Sequence, residues 1–481
     1  MTGTKEVCSV LFSLLGDKAS VPGTATYDAA QNSYFSAQEQ ELAPVCIVAP
    51  TSSSEVSEIV KTLVDHQVKF AVRSGGHTLN AGAANIDSGI TINLRSMNQV
   101  IVNEERSLIS VGAGAKWAEV YPVVDALKLA TSGGRVADVG VGGLTTGGGI
   151  SFFSAREGLV CDNVENYEVV LADGSIVDAN QHKNRDLWIA LKGGSNNFGI
   201  VTRFDIRTFL QDNFYGGVIV YDISTIDTQL KGFTSLLENF DPYAAIMMSI
   251  SWNQTRNSYS IFNNLEYSKL DTAPAALQPF LQAQPQYLNT MRVSTLTDFT
   301  TEASNTITSH HMISLADGSR NQFATTTFGG SLELLAAVYK IWNTSIASIS
   351  SITGVNWAMT IQPFPKAFEA ESSELGGNSL GLSTSDGPFT LFLLSYSWNS
   401  TEDDEKVTAA AQKLIDDIDA ATKKASHFSE YKYLNYAAYW QNPIDGYGAE
   451  SVKNLRKVSS KYDPTGVFQN LCVGGFKLPR D

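Results

Sequence analysis

The chain has 481 residues, 43% of them hydrophobic and 17% charged, a globular composition too long for one ordinary hydrophobic core. Its formal charge of −15 repels phosphate backbones and argues against nucleic acid as a partner. No apolar run reaches the ~20 residues needed to cross a bilayer, so no membrane partner is expected.

In chain order, "VCSVLFSLLG" (7–16) is apolar enough for a leader. Lys5 and Glu6 give it no positive flank and no A-x-A site follows, so it reads as a helix that packs. "VCIVAP" (45–50) reads as a strand, and residues 52–66 as a helix with Val56, Ile59, Val60 and Leu63 on one face. "KFAVR" and "ITINL" are strands, and residues 99–114 form a hairpin turning at 103–105. A second hairpin spans 167–179, with Asp173-Gly174 supplying the turn. Beyond residue 213, long strand-like segments are separated by helices at 225–240, 331–348 and 402–424. That pattern is α+β, one broad antiparallel sheet backed by helices. The closing stretch, 439–481, reads as turn-rich.

Cys8, Cys46, Cys161 and Cys472 form no CxxC pair and the six histidines show no HExxH spacing, so no metal site is expected. The adjacent His310–His311 reads as structural or surface. Sequons at Asn253, Asn343 and Asn399 lean towards secretion, and a Cys8–Cys46 disulfide would point the same way. On that reading any leader has been removed from this form of the chain; an intracellular location stays open.

Glycine is the informative residue. "VRSGGHTLNAG" (72–82) follows a strand, six of the fourteen residues in "DVGVGGLTTGGGIS" (138–151) are glycine, and "LKGGSNNFGIVTRF" (191–204) runs into a strand. Such patches expose N–H groups and let the main chain approach a ligand, as a pyrophosphate requires. Gly112-x-Gly114 imitates a dinucleotide-binding turn, but Trp117 occupies the position where close packing wants Gly or Ala.

Taken in order, "RSGGHTLNAG", "VGAGAKWAEVY", "GVGGLTTGGGIS" and "DLWIALKGGSNNFGIVTRF" resemble the FAD-linked oxidases of the vanillyl-alcohol-oxidase type. The ending "YLNYAAYW…LRKVSSKYDPTGVFQN" resembles their berberine-bridge-enzyme-like branch, fungal in type. The resemblance implies a two-part PCMH-type FAD-binding domain over 1–212, a substrate domain over 213–438, and a segment 439–481 returning to the first.

By the same resemblance, His77 is the histidine bonded to the flavin 8α-methyl. Arg73, Ser74, Gly75, Gly76, Thr78 and Gly82 surround it, and Val139, Gly140, Gly143, Thr146, Asn163, Ile200 and Val201 match further cofactor-lining positions. Many relatives add a second link from a cysteine where this chain has Val136, so a single covalent attachment is expected, with Cys161 a buried thiol. Val139 matches the family's oxygen gate in its permissive form, which implies O2 as acceptor.

"YLNYAAYW" resembles the family pattern Tyr-x-Asn-Tyr-x-Asp, with Ala438 at the aspartate position, and makes Tyr436 the base with Tyr433 in reserve. If this segment is a regular strand, the two tyrosines point opposite ways. Gln362, Trp252, Trp357 and Tyr396 are the candidate substrate contacts. The function implied is an oxidase of a small alcohol, phenol or amine that yields hydrogen peroxide; a monomer is expected, though the sequence does not decide the oligomeric state. The alternatives are a sugar oxidase of the same fold, a flavoprotein cyclase with structural FAD, and a nicotinamide-dependent dehydrogenase.

Overall fold

The computed structural model of the protein describes residues 3–308, 319–383 and 387–479. The His310–His311 pair lies outside the described residues. Cys46–Val48, Ile90–Asn93 and Phe70–Arg73 run parallel, with Ala19–Ser20 antiparallel at one edge. Parallel strands need a crossover, which the helix Ser53–Asp65 supplies. Its Val56, Ile59, Val60 and Leu63 are buried at the spacing read from the sequence, and Ser52 Oγ caps its first turn by accepting the Glu55 N–H at 3.3 Å. The helix Thr4–Leu15 buries Val7, Leu11 and Leu15, and its Cys8 is disulfide-bonded to Cys46 with Cα atoms 6.2 Å apart.

A second, antiparallel sheet takes the order Val100–Val102, Leu108–Gly112, Ile200–Leu210, Val164–Val170, Ile176–Asn180. Both predicted hairpins are present, and at the Asp173-Gly174 turn Asp173 Oδ1 accepts the Ser175 N–H at 2.8 Å. Gly112 and Gly114 lie so close to the Met97 and Leu94 carbonyls that a methyl on either would collide. The imitation of a dinucleotide turn is therefore a packing contact.

From Phe214 onward a nine-stranded antiparallel sheet dominates. Successive side chains of a strand alternate faces. Ile250, Trp252, Trp357, Met359, Leu394 and Tyr396 turn to the side covered by helices Ile226–Glu238, Leu332–Ile349 and Asp404–Lys424. Ser249, Thr360, Gln362 and Ser395 turn to the opposite face, which closes a cavity against the first half.

The closing stretch is more regular than its turn-rich sequence suggests. Ala449–Tyr462 is a 14-residue helix that buries Leu455 and Val458. Its polar bulk hides the apolar stripe in the sequence. The chain then returns to the first half, where Leu471 O accepts the Phe70 N–H at 2.9 Å; earlier in the stretch the Tyr447 hydroxyl donates to Gly193 O at 3.0 Å.

Candidate active site

The three glycine patches meet in one cavity of about 400 Å³. Ser74, Gly75, Gly76, His77 and Thr78 line it from the loop after Phe70–Arg73; Val139, Gly140, Gly143 and Thr146 from the helix Val141–Thr146 and its approach; Ile200 and Val201 from a third strand. Gly75 and Gly140 sit back to back, and a methyl on Gly140 would stand 2.6 Å from Gly75 Cα. Gly76 has φ +75, and its missing side chain leaves room for the Arg73 guanidinium. Among the described residues, the Gly75, Gly76 and Thr78 N–H groups donate to no protein acceptor. Donors left over in a buried loop are suited to an anionic ligand.

His77 lines the same cavity, its imidazole stacked on the Phe35 ring with centroids 3.9 Å apart and planes at 12°. Burial, with the Lys116 ammonium second, pulls its pKa down to about 4. The ring is neutral near pH 7 and keeps a nucleophilic nitrogen.

On the sheet side, Tyr433 and Tyr436 share the cavity, contrary to the opposed arrangement of a regular strand. Leu434–Tyr436 is a single 3-10 turn, and a three-residue step places both rings on one side, 4.8 Å apart and edge to face. The Asn435 amide pins the turn by donating to Leu144 O and the Tyr433 hydroxyl oxygen, both at 3.0 Å. At the position of the pattern's aspartate, the Ala438 N–H donates to Gln441 Oε1 at 3.0 Å, and Gln441 also brackets Thr325.

No motif points to Arg135. Its Nη2 donates to the Tyr436 hydroxyl oxygen at 2.9 Å and its Nη1 to Gln362 Oε1 at 2.6 Å, while Gln362 Nε2 donates to the same tyrosine oxygen at 3.3 Å. Arg135 sits beside Val136, and nothing local signals that its guanidinium reaches side chains hundreds of residues away. Burial pushes the Tyr433 pKa well above the ordinary 10.

Six expected site residues stand apart from the cavity lining. Trp252, Trp357 and Tyr396 face the helices; Trp357 Nε1 donates to Ser345 Oγ at 3.0 Å. Alternation along the strands puts them on the wrong side of the sheet. Arg73 instead braces the N-terminal segment, donating to Ala30 O (2.7 Å) and Ser33 O (2.9 Å) and lying over the Tyr34 ring. Asn163 Nδ2 donates to Glu157 O and Leu159 O. Gly82 packs its carbonyl against Gly474.

An FAD binding domain family matches residues 44–180. The FAD-dependent monooxygenase sdcF of Emericella nidulans is 36% identical over 482 residues, which cover 98% of each chain. Among solved structures, 6-hydroxy-D-nicotine oxidase from Arthrobacter nicotinovorans superposes with a TM-score of 0.78 at 19% identity, covering 97% of this chain and 98% of the other. BBE-like 1 from Physcomitrella patens gives 0.74 at 20% identity, covering 98% and 100%. The chain belongs to the FAD-dependent oxidoreductases, with an FAD binding domain over residues 44–180, and its fold is that of 6-hydroxy-D-nicotine oxidase and BBE-like 1.

The residues present fit FAD. The unpaired N–H groups of the 75–78 loop suit its diphosphate, and Gly143 has no atom within 4 Å of where a Cβ would stand. Asn80 Oδ1, buried at the cavity wall without a partner, is free to accept from a ligand. No helix among the described residues is long and apolar enough to cross a membrane.

Proposed function

We propose that the protein oxidises a compact aromatic or polyketide-like alcohol, phenol or amine of secondary metabolism, with FAD attached once, through His77, and O2 as acceptor. The observation that carries this reading is the Tyr436 hydroxyl, held by two donors in a cavity that also contains a neutral His77 and the glycine cradle. When bound, the flavin supplies a hydride acceptor at N5 and passes the electrons to O2.

Tyr436 takes the proton of the substrate O–H or N–H. An oxygen that receives an amide and a guanidinium hydrogen bond can carry the negative charge a base must hold. The Arg135 guanidinium donates directly to that oxygen, which favours negative charge there. Tyr433, whose burial opposes ionisation, orders the turn through Asn435. The imidazole of His77 is the attacking nucleophile for attachment, and the apolar Val136 provides no second one. Val139 is a compact side chain on the cavity wall, in keeping with access for O2.

The cavity floor favours a flat apolar substrate over a sugar. Met247, Phe262, Phe323 and Leu393 make much of it, and the central hydroxyls of Ser249 and Thr360 satisfy each other at 2.7 Å. A sugar needs several unpaired donors and acceptors there, of which Ser395 Oγ is one. Asn343 and Asn399 are exposed, which supports the glycosylated, secreted reading, while Asn253 is held by Asn356.

The name of the Emericella relative favours a second reading, insertion of one oxygen atom into the substrate. One experiment separates the two: turnover under labelled O2 with peroxide measured in parallel. An oxidase yields one peroxide per substrate and unlabelled product. A monooxygenase places label in the product and yields no such stoichiometry.

A further inference from the structure

We propose that Phe35 is a positioning residue for cofactor attachment, fixing the plane in which His77 presents its ring nitrogen. The inference rests on the reading of His77 as the attachment point. The near-parallel stack, 3.9 Å between centroids, covers one whole face of the imidazole. A histidine ring beside an open cavity would otherwise exchange among several rotamers, and its terminal torsion is broad. With one face covered, rotation about that torsion drives the ring into Phe35.

Phe35 itself has little freedom. It is 5% exposed and packs in a small cluster with Leu79, Val218, Val220 and Phe262, which joins the glycine loop to the large sheet. Its N–H donates to Gly76 O at 3.0 Å, so main chain and side chain both grip the loop that carries His77. On either side, the Tyr34 hydroxyl donates to Ala84 O at 3.0 Å and the Ala37 N–H to Ser319 O at 3.0 Å. A residue more than forty positions earlier in the chain thus holds the imidazole from outside its own loop.

In the attachment, the ring nitrogen forms a bond to the 8α carbon while one proton leaves that carbon and one leaves the imidazole. The two electrons released reduce the isoalloxazine and pass to O2, giving hydrogen peroxide. Bond formation of this kind is sensitive to the approach of the attacking atom, and a misplacement of an ångström slows it severely. The apolar Phe35 face also excludes water from the imidazole, in keeping with a neutral nucleophile.

The test compares wild type with Phe35→Leu, which keeps an apolar side chain without the flat face, and Phe35→Tyr, which keeps the ring. Each protein is loaded with FAD and precipitated in acid at intervals, and flavin is measured in pellet and supernatant. Thermal unfolding and total bound flavin report folding. Phe35→Leu is expected to bind FAD but to fix it at least about tenfold more slowly, with Phe35→Tyr near wild type. Fixation by Phe35→Leu at the wild-type rate overturns the proposal. Wild-type flavin found wholly in the supernatant instead overturns the attachment reading beneath it.

Discussion

Arg135 Nη2 stands 2.9 Å from the Tyr436 hydroxyl oxygen across 301 residues of sequence, and Gln362 closes the triangle. If this arrangement holds the charge on a catalytic oxygen, removing the oxygen and removing its cation have different signatures. Tyr436→Phe is expected to slow substrate-dependent flavin reduction by roughly 10²- to 10⁴-fold, the usual contribution of a general base, with flavin content unchanged. Arg135→Gln is expected to slow it less, with Arg135→Lys partly restoring it. Stopped-flow reduction checks both.

The Gly75–Gly140 contact leaves no room for a methyl. Gly140→Ala should separate the loop from the helix and destabilise the protein by about 1–3 kcal/mol, the typical penalty of overpacking. Flavin content should fall with it. Absorbance of the purified protein and thermal unfolding measure the two together.

Glu266 is buried on the large sheet beside Gly216, with Oε1 unpartnered. Burial raises its carboxyl from an ordinary 4.5 to about 8, against opposing pulls from Asn264 and Arg135. The folded state therefore binds a proton more readily than the unfolded chain between those values. Its contribution to stability is full below about 4.5 and is lost as pH rises through about 8. Glu266→Gln should flatten that part of the stability–pH curve, as denaturant midpoints across the range would show.

Trp357 offers a negative control. It faces the helices and bonds Ser345 Oγ. Trp357→Phe should lower stability by about 1 kcal/mol through the lost hydrogen bond while leaving KM unchanged. A change in KM alone would place this face of the sheet in contact with substrate.

Local features of the sequence were read well because local physics determines them. The stripe of Val56, Ile59, Val60 and Leu63, the Asp173-Gly174 turn and the long alternating strands each need only a short window. The glycine patches were legible for the same reason, and they meet in one cavity. What escaped were relations between distant segments. Which face of a strand looks at the cavity depends on register, so Gln362 lines it while Trp252, Trp357 and Tyr396 face the helices. The 3-10 turn at Leu434–Tyr436 is held by Asn435 reaching Leu144, a contact across 291 residues that no propensity encodes. Arg135 and Phe35 act through partners just as remote from their own windows.

A flavin joined to this chain through His77 would show most directly in acid precipitation of the purified protein followed by mass analysis of its yellow peptide. Colour should stay with the pellet, with a flavin adduct on the peptide containing His77 and no colour in the pellet of His77→Ala. Flavin released entirely into the supernatant, or an adduct on any other residue, would contradict it.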